Sequence, residues 1–245
     1  MGPFLSRTIM FGASIACFGV VWAGVETALP DDRTSSQPFV GEANAAEKAT
    51  IIPAPRVATG ETGTRSVAIF AGGCFWGVEG VFEHTKGVIS AKSGYHGGTE
   101  RSATYKLVSA GLTDHAEVVR VVYDPSQVSY DQLMQIYFSV VADPTMLNAQ
   151  GPDRGKQYRS ALVPMNAKQA KAARAYIAQL RKGRYWKRPI VTRIEAYKDF
   201  YPAETYHQNF MKKHPRQGYI VRWDAPKLAN LKRHFPRQYR AKPSA

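Results

Sequence analysis

Apolar positions change their spacing several times along the chain, and each change marks an element. Ser66–Ala71 (SVAIFA) is a short apolar run closed by Gly72-Gly73, which predicts a buried strand. Over Cys74–His84, Phe75, Val78, Val81 and Phe82 recur at helical spacing and predict a helix whose first residue is Cys74. Val88–Tyr95 alternates weakly before the glycine turn Gly97-Gly98, and the valine-rich run Ala116–Tyr123 stops at Asp124-Pro125. Both predict strands. Ser129 caps a predicted helix through Val141, with Leu133, Ile136, Tyr137 and Val140 on one face. Residues 142–158 read as a long polar loop and Arg159–Val163 as a short strand. A helix capped by Asn166 runs to about Gly183, a strand covers Val191–Tyr197, and an irregular basic tail follows.

The order β-α-β-β-α-β-α-β is built of split βαβ units. It predicts an α/β (α+β) fold, a two-layer sandwich of a mixed or antiparallel sheet with helices packed against it and a ferredoxin-like core. No GxGxxG or Walker sequence is present, which argues against nucleotide binding by those loops.

The N-terminal region reads differently. Eighteen uncharged residues, Thr8–Val25, follow Arg7 and have the character of a signal peptide or short membrane anchor, assigned to residues 1–28. Residues 29–65, rich in Ala, Pro, Thr and Gly, read as a flexible leader or linker, so the folded domain is expected over 66–245. The expectation is an exported domain, periplasmic or anchored facing the periplasm, with membrane contact only through the N-terminal segment.

Composition narrows the function. Two cysteines in 245 residues exclude a disulfide-built scaffold and a multi-cysteine zinc module. The formal net charge is +14, and residues 181–240 hold 16 Lys and Arg against 4 Asp and Glu. Such an excess suits an anionic surface or a solvated basic face. With no recognition-helix, RNP or zinc-finger pattern, no nucleic-acid partner is expected.

Cys74 is the only cysteine of residues 66–245. Free cysteines are often buried and inert, but Cys74 stands at the end of the predicted apolar stripe rather than along it. At a helix start the unpaired amides and the dipole favour a thiolate, so its pKa is expected to fall. Trp76 lies about 100° around the helix from Phe75 and is placed either to wall an apolar pocket or to pack under a loop. Glu117 shares the strand face of Val119, Val121 and Tyr123. Buried there, it becomes a neutral general acid; turned outward, a solvated strand end. Tyr95 in the SGYHGG turn, with Asp143, Asp153 and Tyr158 in the polar loop, completes the polar candidates.

These residues carry a resemblance. Gly73-Cys74-Phe75-Trp76-Gly77-Val78-Glu79 resembles the GCFWGVE motif of the type A peptide methionine sulfoxide reductases. The likeness continues through Ser93–Gly98, His115-Ala116-Glu117, Asp143-Pro144-Thr145, Gln150–Asp153, Gly155–Ser160 and Tyr206-His207-Gln208. It implies reduction of methionine S-sulfoxide, free or in oxidised proteins, with Cys74 as nucleophile and Phe75 and Trp76 holding the S-methyl group. It further implies Glu117, Tyr95 and Tyr158 on the sulfoxide oxygen, Asp153 assisting, and no metal or organic cofactor. A thioredoxin-like or small-thiol reductant is implied as partner. Two departures stand out: no cysteine follows Cys74, where many members carry resolving cysteines, and Ala142 replaces a His before Asp-Pro-Thr.

Two other functions compete. One is a Cys-His hydrolase or acyl transferase using Cys74 with His207 or His115 as base. The other is a non-enzymatic basic module acting through residues 181–240.

Overall fold

The alternation read in Ser66–Gly72 divides that strand's side chains between two cores. Ala68 and Phe70 enter a large cluster on one face, while Ile69 and Ala71 enter a small one on the other. The computed structural model describes residues 49–244. In chain order its elements are β1 (Ser66–Gly72), α1 (Phe75–Glu83), β2 (Val88–His96), α2 (Tyr105–Ser109), β3 (Ala116–Tyr123), α3 (Tyr130–Ile136), β4 (Ala149–Gln150) and β5 (Asp153–Arg154). There follow β6 (Ser160–Val163), α4 (Ala167–Gly183), β7 (Arg193–Ile194), β8 (Phe200–Pro202), α5 (Phe210–Lys213) and α6 (Ala225–His234).

The main sheet runs β7-β6-β1-β3-β2-β8, with every pair antiparallel except β6 with β7. Its centre, β6-β1-β3-β2, is the fourth-first-third-second order of a ferredoxin-like core, so the mixed two-layer α+β fold agrees with the expectation. Helices α1, α3, α4 and α6 send apolar side chains to the large cluster. There Phe70 stacks on Phe82 at 4.8 Å, and each such buried ring contributes about 2–3 kcal/mol.

Several elements depart from the pattern. Helix α1 starts at Phe75, with Cys74 as its non-helical N-cap. Ser129 caps α3 reciprocally with Gln132, but the regular helix ends at Ile136 and a π-helical turn covers Tyr137–Val141. The supposed loop 142–158 holds the β4–β5 hairpin and a 3-10 turn at Lys156–Tyr158. The strand expected at 191–197 shrinks to β7, because the four-residue β6 pairs with it at two positions only.

The basic tail is ordered too. It supplies β8, α5, a π-helical turn at Ile220–Asp224, and α6, which buries Leu231.

Residues 49–61 correct the reading of 29–65 as an unpacked linker. Ile52 is 2% exposed, and the Pro53 and Ala54 carbonyls accept from Tyr176 and Gln179 of α4. Thr59 donates twice to Asp131, and Tyr123 donates to Glu61. The run Thr8–Val25, Cys17 and the assignment of residues 1–28 lie outside the described residues. Among the described residues no helix is long and apolar enough to cross a membrane.

Candidate active site

Strand β1 ends at Gly72, and Gly73, at φ +87°, turns the chain into α1. A side chain there would be strained and would collide with Gln150, so glycine is required. The turn leaves Cys74 at the N-cap, where no side-chain hydrogen bond closes the cap. The first-turn amide of Phe75 is taken instead by Glu117, whose Oε2 accepts at 3.0 Å.

Glu117 reaches α1 because β3 alternates. Val119, Val121 and Tyr123 point into the helical core, and Glu117 shares their face at the strand's start. It is 2% exposed, and burial pushes its pKa up to about 8 against the pull of the Phe75 amide. At neutral pH it is therefore mostly a neutral acid.

The thiol departs from expectation. Burial pushes the Cys74 pKa well above the ordinary thiol value, and the carboxylates of Glu117, Asp224 and Asp153 push the same way. The Trp76 amide opposes them without prevailing. One helix terminus is outweighed by desolvation and three acids, so the resting group is a thiol and not the thiolate expected.

Cys74, Phe75, Trp76, Glu117, Asp153 and Tyr158 line one open hollow of about 270 Å³, joined by Tyr105, Gln217 and Tyr219. Tyr219 donates to Asp153 at 2.5 Å. Asp224 lies under the first turn of α1, where a Cβ on Gly77 would run into its carboxylate. Trp76 stacks on Phe210 at 3.8 Å and donates its indole N–H to His207 Nδ1 at 3.1 Å. Its orientation is thus set by α5 and the segment before it.

Tyr95 is the misplaced candidate. It is fully buried, packs against Phe75 and donates to Glu204 at 2.8 Å. Tyr105 of α2 reaches the hollow in its place, its own N–H held by Glu204 at 2.8 Å. Asp143 is also outside; its Oδ1 accepts from Thr145 in the turn after the π-helical segment. Ala142 lies beside Gly72 and Tyr137, apart from the hollow's lining.

Neither histidine proposed as a base lines the hollow. His115 Nδ1 accepts from Gly98 N–H and its Nε2 faces the Thr99 carbonyl. His207 spends Nδ1 on Trp76, and burial lowers its pKa. Sequence reasoning missed Tyr105, Gln217, Tyr219, Asp224 and Glu204. None lies in a periodic apolar segment, and all but Tyr105 come from the supposedly irregular tail. Among the described residues no group of three or more His, Cys, Asp or Glu side chains could hold a metal ion.

Chemically, the hollow joins a thiol, a buried neutral acid, three phenols, one of them given to Asp153, and an aromatic wall. That set can polarise and protonate an oxygen while sulfur attacks the atom bearing it.

Residues 66–239 match the peptide methionine sulfoxide reductase family. The chain is 56% identical over 176 residues to peptide methionine sulfoxide reductase MsrA 2 of Mesorhizobium japonicum, covering 72% of this chain and 90% of the relative. It is 46% identical over 185 residues to the enzyme of the same name from Synechocystis, covering 76% and 86%. Among solved structures, reduced Mxr1 from Saccharomyces cerevisiae superposes with a TM-score of 0.56 at 34% identity, covering 64% of this chain and 89% of that one. Methionine sulfoxide reductase A of Corynebacterium diphtheriae gives 0.54 at 32% identity, covering 72% and 91%.

Proposed function

The chain belongs to the peptide methionine sulfoxide reductase family and is an oxidoreductase that reduces methionine sulfoxide, and we propose that it does so with Cys74 as nucleophile and Glu117 as general acid. The observation that carries this reading is their convergence: the sole thiol of the described residues shares one hollow with a buried acid tied to its own helix turn.

The substrate is the S epimer, in oxidised proteins or free. Phe75 and Trp76 receive the apolar methyl group, and Tyr105 and Tyr158 donate hydrogen bonds to the sulfoxide oxygen, Tyr105 in the role first read for Tyr95. Asp153, held by Tyr219, assists. The Cys74 sulfur attacks the sulfoxide sulfur as Glu117 protonates the oxygen, and the thiol's own proton refills Glu117. In the S–S-bonded adduct so formed, the hydroxyl passes from the substrate sulfur to the Cys74 sulfur as the substrate S–O bond and the S–S bond break, which releases methionine and leaves Cys74 as a sulfenic acid. Methionine sulfur gains the two electrons that Cys74 sulfur loses.

Turnover is a one-cysteine cycle, a reading supported by Cys74 being the sole thiol among the described residues. An external thiol attacks the sulfenic sulfur, releasing water and forming a mixed disulfide. A second thiol then frees Cys74 and leaves as the external disulfide. The reductant is thioredoxin-like or a small thiol. The uncharged run Thr8–Val25 supports delivery outside the cytoplasm, where oxidised proteins would be repaired.

The test is reduction of the two methyl sulfoxide epimers with dithiothreitol, wild type against Cys74→Ser. Turnover of the S epimer by the wild type alone is expected. Turnover by a folded Cys74→Ser variant, or a preference for the R epimer, would overturn the reading.

A further inference from the structure

Positive charge is concentrated on a face that the chemistry at Cys74 leaves unused. Helix α4 buries Ala172, Ala173, Tyr176, Ile177 and Leu180 and turns its other side outward. That side carries Lys168, Lys171, Arg174, Arg181 and Lys182, all exposed, and the helix contains no acidic residue. The following turn continues in kind, with exposed Arg184, Lys187 and Arg188 around Tyr185 and Trp186. Arg188 meets Asp143 at 3.5 Å. Two other acids on this side are already engaged, Asp131 by Thr59, and Glu61 by Tyr123 and Gln169.

Apolar tips are interleaved with these cations. Tyr185, Ile51 and Val57 are exposed. Arg56 and Val57 border one hollow with Lys182 and Tyr185, and Ala49 borders another with Trp186. The first described residues thus run along the cationic face.

We propose that this face docks on an anionic lipid bilayer. Guanidinium and ammonium groups of α4 and the turn after it meet lipid phosphates, while Tyr185, Val57 and Ile51 enter the interfacial layer. A nucleic acid would answer the charge alone. The apolar tips set among the cations favour the bilayer. The inference is independent of the roles proposed at Cys74.

The experiment is cosedimentation of the full-length protein with vesicles of phosphatidylcholine alone, or with about one part in three phosphatidylglycerol. Wild type is compared with the variant Lys171→Glu, Arg174→Glu, Arg181→Glu, Lys182→Glu. Both chains keep the N-terminal run, so its apolar partitioning is common to both. The wild type should prefer anionic vesicles at least about tenfold at low salt and lose the preference near ~0.5 M salt. The variant should show no preference while reducing free methionine sulfoxide at the wild-type rate, which reports its fold. Tyr185→Ser should weaken anionic binding several-fold. Equal wild-type binding to both vesicles, retained preference in the charge variant, or tighter binding of a DNA oligonucleotide than of anionic vesicles would overturn the proposal.

Discussion

The backbone N–H of Phe75 donates to Glu117 Oε2 at 3.0 Å. This one bond ties the acid of β3 to the first turn of the helix that Cys74 caps. Sulfur and acid are therefore held by a shared backbone contact, with Oε1 left to carry the proton. The same contact limits how far burial can raise the acid's pKa, which settles at about 8.

Glu117→Gln keeps an acceptor for Phe75 and removes the proton donor. Sulfoxide reduction should slow by about 10²–10⁴-fold in single turnover. The wild-type rate should fall as pH rises through about 8, while the variant's low rate loses that step. An unchanged rate and profile would remove Glu117 from the chemistry.

The same group tilts stability with pH. Between 4.5 and about 8 the folded protein holds a proton on Glu117 that the unfolded chain has released, so stability falls as pH rises through that window. Glu79 and Glu83, raised by burial to about 7, add the same sign between 4.5 and about 7. Urea unfolding of Glu117→Gln should show a shallower decline and a higher midpoint than wild type above about pH 8. A parallel pair of curves would contradict the buried neutral acid.

Tyr105 and Tyr95 separate by what each mutation moves. Tyr105→Phe should lower kcat/KM with little loss of stability, since Tyr105 lines the hollow. Tyr95→Phe leaves Glu204 without its 2.8 Å donor and should cost about 1–2 kcal/mol in unfolding, with a smaller effect on rate. The reverse pattern would restore Tyr95 to the sulfoxide oxygen.

Residues 49–61 should behave as part of the domain. A chain beginning at Ser66 loses the buried Ile52 and the partners of Tyr176, Asp131 and Tyr123. It should be less stable than one beginning at Ala49 by at least about 3 kcal/mol. Equal unfolding midpoints would return the segment to the status of a linker.

Local pattern made part of the site legible. The apolar run, glycine pair and helical spacing around Cys74 located the N-cap to within one residue, and period two on β3 placed Glu117 on the helical face. The direction of the Cys74 pKa was not legible, because it depends on burial and on acids from three distant segments. Tyr105 and Tyr219 carry no periodic signal and reach the hollow only through tertiary packing. Helix α6 hides behind a basic sequence in which Leu228 and Leu231 are the apolar contacts. The 49–61 segment binds mainly through backbone carbonyls and amides, to which residue type is nearly blind.

The central claim is that oxygen passes from substrate sulfur to Cys74 and waits there for an outside thiol. Mass spectrometry of the protein after one equivalent of methionine S-sulfoxide, without reductant and with dimedone present, tests it directly. The account predicts methionine released in equal amount and a dimedone adduct on Cys74. Methionine released with Cys74 unmodified, or a Cys17–Cys74 disulfide in place of the adduct, would contradict it.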